Sequence, residues 1–184
     1  PQAYAASARG KRNWRTTSAA VPVLSLNSAR RISPGATARL PYELLMLHLH
    51  HPCEHRLAGK GFDLECHFVH KSGAGALAVT GVFIRPGAAN AALKTFFEQM
   101  PAKEGPELKL ATPIDLAAIL PKSGGYFRYM GSLTTPPCSE GLTWTVHKEP
   151  IEASVEQIKK FAALFPGNAR PLQNRNRRFV IDAS

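Results

Sequence analysis

Polar and apolar positions alternate along residues 44–50, where Leu47 and Leu49 are set against His48 and His50. A period of two predicts a strand whose side chains point to opposite faces in turn. A second strand is predicted over residues 62–70, and Ala58-Gly59-Lys60-Gly61 supplies turn material between the two. Residues 77–84 form an apolar, β-branched run between Gly75 and Pro86, which reads as a buried strand. Residues 126–132 and 142–147 read as strands flanking the turn Thr134-Thr135-Pro136-Pro137, and residues 21–26 as one more. The spacing of Ala91, Leu93, Phe96 and Phe97 predicts a short amphipathic helix over residues 90–100. Another is predicted over 155–165, opened by a capping box of Ser154 and Gln157. Strands dominate, and no internal repeat is visible.

The alternation has a chemical consequence. His48 and His50 leave one strand on one face, and on the next strand Glu65, His67 and Val69 share a face by the same rule. Antiparallel pairing through the connection brings His67 opposite the first pair. Neutral imidazoles are common metal ligands, and three of them leave the fourth tetrahedral position of zinc open, as a catalytic site requires. A carboxylate on the face of His67 can accept its other ring N–H and fix its tautomer. From spacing alone, strand histidines without a metal remain an equal alternative.

At 184 residues and 44% hydrophobic content the chain suits one domain, residues 1–184, with a real core. No apolar run approaches the roughly eighteen residues of a membrane span. The chain does not begin with Met and shows no signal peptide, so a mature form or a fragment is expected. The net charge of +10 suggests a polyanion partner until its distribution is seen. Residues 1–42 hold no acid and carry Arg9, Lys11, Arg12, Arg15, Arg30, Arg31 and Arg39, while the rest is close to balanced. No specific nucleic-acid partner is expected. Cys53, Cys66 and Cys138 lack CxxC spacing, which argues against a thiolate zinc site and a disulfide scaffold; a single disulfide stays open.

Three ordered motifs then carry a family resemblance. Leu47-His48-Leu49-His50-His51-Pro52-Cys53-Glu54-His55 with Leu64-Glu65-Cys66-His67-Phe68-Val69-His70 resembles the zinc-site hairpin of the α-class carbonic anhydrases. Gly131-Ser132-Leu133-Thr134-Thr135-Pro136-Pro137-Cys138 and the residues on to Trp144 resemble that family's second signature, and Asn168-Ala169-Arg170-Pro171-Leu172-Gln173 its C-terminal segment. The resemblance spans residues 42–181. It implies one domain around a large, twisted, mostly antiparallel sheet of about ten strands with short surface helices. It also implies a Zn2+ cofactor held by His48, His50 and His67, with Glu65 behind His67 and the Asn168 carbonyl behind His50. Thr134 matches the residue that accepts from a zinc-bound hydroxide, and Glu54 the carboxylate that takes the Thr134 proton. Val69, Val79, Leu133, Leu142 and Trp144, with Thr135 beside them, fall where the family builds its substrate pocket. The implied reaction is the reversible hydration of carbon dioxide to bicarbonate and a proton, open to sulfonamide inhibition. The implied location, by analogy with bacterial members, is periplasmic or secreted. The alternative is an impaired carbonic-anhydrase-like binding module that contacts polyanions through its basic surface.

The chain departs from the family pattern at two places. Met46 stands where the family usually has a Gln that accepts from the ring of the first ligand, and a thioether accepts only weakly. Residues 1–41 lack the family's aromatic segment, its Cys and QSP-type motif and its proton-shuttle histidine. They read as a diverged terminus or as a frameshifted or truncated remnant. The shuttle residue is therefore unknown: His51, His55 and His70 remain, with His51 expected on the face away from the ligands, and proton transfer is expected to slow turnover. Cys138 has lost the family's N-terminal partner and is either a free thiol or paired with Cys53. An altered N-terminus would expose a sheet edge, which makes a homodimer the assembly to test for.

Overall fold

Eight strands in the described residues form one sheet, ordered β1-β2-β3-β4-β6-β5-β8, with β7 beside β4. The computed structural model describes residues 24–25, 42–101 and 114–184. The strands are β1 (Leu24–Ser25), β2 (Tyr42–His50), β3 (Leu64–Ser72), β4 (Leu77–Pro86), β5 (Tyr126–Ser132), β6 (Glu140–His147), β7 (Ile151–Ala153) and β8 (Val180–Ala183). Pairing is antiparallel except where β4 meets β6 and β7. Apart from β1, the expectations for residues 1–41 lie outside the described residues.

One irregularity sets the parity of the sheet. Leu44 pairs with His70 and Met46 with Val69, so Leu45 is an extra residue in β2 and turns outward, 41% exposed. The bulge puts Leu44 on the same side as Leu47 and Leu49, and Met46 on the side of His48 and His50. Plain alternation over residues 44–50 would have placed Leu44 with the histidines.

Each face buries its own apolar cluster. On the reverse face Leu47, Leu49, Leu64, Cys66, Phe68, Val82 and Ile84 pack against α1 (Lys94–Gln99), a 3-10 turn (Leu116–Ile119) and α2 (Val155–Leu164). Helix α1 starts later than the predicted residue 90 because Asn90 accepts the Leu93 N–H in a side-chain turn that competes with the helix. Helix α2 carries the predicted capping box, in which Ser154 Oγ accepts from Gln157 N and Gln157 Oε1 from Ser154 N. The histidine face buries Val69, Val79, Phe83, Tyr129, Leu142, Trp144 and Val146. A groove of about 300 Å³ opens on the reverse side of β4, β5, β6 and β8 among Thr80, Arg128, Thr143, Thr145 and Ile181, and no histidine lines it.

Candidate metal centre

Register assembles the site. His48 lies opposite His67, and His50 opposite Glu65, in the β2–β3 ladder. The ring centroids of His48, His50 and His67 stand 4.7 to 5.2 Å apart, and a nitrogen from each ring lies within 4.8 Å of the others. Two of the three rings are held from behind. His50 Nδ1–H donates to Asn168 O at 3.0 Å, and His67 Nε2–H donates to Glu65 Oε1 at 2.8 Å. That leaves His50 Nε2, buried and without a partner, and His67 Nδ1 to face the common centre.

Both anchors are themselves fixed. Asn168 Oδ1 accepts from His51 N at 2.6 Å and its Nδ2 donates to Leu49 O at 3.1 Å, pinning the C-terminal segment to the end of β2. The Glu65 carboxylate is fully buried and accepts from Glu54 N, His55 N, His55 Nδ1 and His67 Nε2. Burial alone would push this carboxyl up. The charges and hydrogen bonds of His55 and His67 outweigh that and hold it well below the usual carboxylate range. His55 is buried, which favours its neutral form, but the adjacent Glu65 charge prevails and raises it. Its Nε2 lies 2.6 Å from Tyr129 OH, and burial raises the Tyr129 phenol. His55, Glu65 and His67 also form a compact set of metal-ligating types. The atoms by which they face one another, His55 Nδ1, Glu65 Oε1 and His67 Nε2, are already hydrogen-bonded together, so the set is a brace for His67.

Burial, then His67 and His50, push His48 down to about 2, and burial lowers His50 as well. Both rings therefore keep their lone pairs at neutral pH, the state a metal needs. The donor set fits zinc: three converging imidazole nitrogens, an orphaned buried Nε2 among them, and no thiolate. His48 Nδ1 is buried with no hydrogen-bond partner, and the residue two before it on the same face is Met46.

Glu54 is buried beside the rings. Its Oε1 accepts from Arg170 N at 2.7 Å, and its Oε2 lies 3.5 Å from His50 Nε2 and 3.9 Å from His67 Nδ1 with no hydrogen bond of its own. The hydrogen bond expected between Thr134 and Glu54 is not formed. Arg170 turns the carboxylate toward the imidazoles, while the turn carrying Thr134 is closed by its own backbone bonds, Leu133 N to Ser139 O and Cys138 N to Thr135 O. Thr134 is half-buried and Thr135 exposed. Val69, Val79, Leu142 and Trp144 are buried in one apolar cluster with Leu133 at its margin, and Trp144 Nε1–H donates to Ser132 O.

The remaining histidines are engaged or turned away. His51 Nδ1–H donates to Asp63 O, His70 is buried on the reverse face of β3, and His147 ends β6. The three cysteines are free; Cys53 Sγ–H donates to His55 O and Cys53 Sγ accepts from Phe62 N. Sequence reasoning missed the brace of His55 and Tyr129 and the Arg170 N–H. His55 and Tyr129 lie 74 positions apart, and no local period signals such a pair.

The family profile for eukaryotic-type carbonic anhydrase matches residues 9–182, reaching upstream of the motifs. A carbonic anhydrase from a Nostoc species is 47% identical over 147 residues, covering 79% of this chain and 56% of that protein. One from Pectobacterium carotovorum is 44% identical over 154 residues, 82% of this chain and 63% of that protein. The solved complex of the Thermovibrio ammonificans α-carbonic anhydrase with the inhibitor sulfanilamide superposes with a TM-score of 0.74 at 43% identity, covering 77% of this chain and 63% of that one. The chain thus spans about three fifths of the length of the curated relatives it matches. It belongs to the eukaryotic-type, or α-class, carbonic anhydrase family.

Proposed function

We propose that this chain hydrates carbon dioxide reversibly to bicarbonate and a proton, with Zn2+ held by His48, His50 and His67. The observation that carries the reading is the convergence of three imidazoles, two of them oriented by Asn168 O and Glu65 Oε1. Zinc, when bound, is a Lewis acid that brings loss of a proton from coordinated water close to neutral pH, a property established for carbonic anhydrase itself. The chain's own residues supply the rest. Val69, Val79, Leu133, Leu142 and Trp144 offer an apolar wall suited to an uncharged substrate. Glu54 Oε2, without a hydrogen bond of its own, is the acceptor available to the Thr134 O–H; a Thr134 hydroxyl donating there would be able only to accept from a nucleophile beside the imidazoles.

The test is zinc stoichiometry together with stopped-flow hydration of carbon dioxide. One zinc per chain is expected, with activity lost to a chelator, restored by zinc and blocked by a sulfonamide. Bound zinc without hydration would instead favour the binding module. For that module, heparin retention that vanishes with modest salt would signify only generic charge attraction.

A further inference from the structure

We infer that Met46 is a positioning residue that leaves His48 the unanchored ligand of the metal centre, so that metal exchange begins at His48. The inference rests on the zinc reading above. His50 and His67 each have a ring N–H held by a fixed acceptor, at 3.0 Å and 2.8 Å. His48 has none, and its Nδ1 is sealed from solvent without a partner. His48 and His50 leave β2 on one face two residues apart, and we take His48, like His50, to reach the centre with its distal Nε2. The neutral ring of His48 then carries its hydrogen on Nδ1, where nothing receives it.

The sheet explains why no acceptor is near. Rows of paired residues cross it on this face. One row runs His50, Glu65, Phe83, and its carboxylate serves His67. The next holds His48, His67 and Gly81. The row on the far side of His48 runs Met46, Val69, Val79, Trp144 and Tyr129; of its polar groups, the Trp144 N–H is a donor spent on Ser132 O and the Tyr129 hydroxyl is engaged with His55 Nε2. Met46 packs against the apolar cluster of that row, and its thioether is a weak acceptor. An amide at position 46 would place a strong acceptor two residues from His48 on the same face. A ligand imidazole with no partner on its other nitrogen is a weaker base and is free to turn. It leaves first.

The experiment compares wild type, Met46→Gln and Met46→Leu, each loaded with zinc, by equilibrium competition with a chromogenic chelator and by the rate of zinc release to it. The expected result is about tenfold tighter binding and correspondingly slower release for Met46→Gln, with Met46→Leu near wild type. Equal affinity and release in wild type and a folded Met46→Gln would overturn the inference, as would an equal gain in Met46→Leu. A second readout needs no variant: 1H–15N spectra of the ring nitrogens in zinc-loaded wild type. Two hydrogen-bonded ring N–H protons at low field, with the His48 proton clearly upfield, are expected. Three low-field protons, or metal bound through His48 Nδ1, would overturn it. Failure of wild type to bind zinc at all would instead remove the functional reading on which the inference stands.

Discussion

At the scale of single residues, the site depends on groups that never face its centre. Gly81 sits opposite His67 in the β3–β4 ladder, and a Cβ there would lie 3.0 Å from Glu65 Oε1, the oxygen that holds both His55 and His67. Gly81→Ala should push that carboxylate aside and weaken zinc binding about tenfold in chelator competition, in the range seen for loss of a hydrogen bond behind a ligand. Unchanged affinity would mean that Glu65 yields without disturbing His67. Proton export makes a second prediction. All seven histidines lie in the described residues, and apart from His48, His50 and His67 each is hydrogen-bonded to backbone or brace, buried on the reverse face or placed at the end of β6. Hydration should therefore accelerate as an imidazole-type buffer is added at fixed pH, and a rate indifferent to that buffer would show an unrecognised internal relay.

At the scale of elements, Gln157 joins α2 to the turn that precedes α1. Beyond its part in the capping box it accepts from Asn90 N at 2.8 Å and donates to Asn90 O at 3.0 Å. Ser154→Ala should cost about 1 kcal/mol, as the loss of an N-cap does. Gln157→Ala should cost more in urea unfolding, because the Asn90 N–H and C=O lose their partner as well. The elements also show what the sequence could tell. The strands bearing His48, His50 and His67 were legible because a period of two is a local property. The bulge at Leu45 was not, since nothing in residues 44–50 marks which one fails to pair. Strands β7 and β8 are three and four residues long, too short for a periodic signal. Asn168 contacts His50 across 118 positions, and only the resemblance pointed to it. The Thr134–Glu54 contact was expected from motif matching; Arg170 N holds Glu54 Oε1, while Oε2 makes no hydrogen bond to Thr134.

At the scale of the whole molecule, buried histidines set the response to acid. Burial depresses His48, His50, His70 and His147, so below the unfolded value of 6.5 the unfolded chain binds protons that the folded chain refuses. Their contribution is complete above that pH and is lost as pH falls. His55 is raised and works in the opposite sense, contributing below 6.5 and fading as pH rises through its folded value. Glu65, depressed, holds its contribution until pH falls below the usual carboxylate range. With four groups against one, the metal-free chain should melt at lower temperature at pH 5.5 than at 7.5. His70→Leu, on the face of β3 opposite His67, should flatten that slope, and an unchanged slope would exclude His70 as a contributor. Among the described residues β8 ends the sheet, and Ile181 (60%) and the preceding Phe179 (88%) are exposed there, a strand position of the kind that pairs with another copy. Sedimentation velocity should show concentration-dependent association that Ile181→Lys removes, and a monomer at every concentration would refute it.

The bulge in β2 has a consequence for how this chain tolerates change in length. Leu44 and Met46 already pair with consecutive residues of β3, His70 and Val69. Deleting Leu45 would simply close the ladder, with every side chain on its present face. Deleting Leu49 would make His48 and His50 neighbours and send them to opposite faces, whatever the bulge does. A loss of one codon is therefore neutral to the metal centre at position 45 and ruinous to it four residues later.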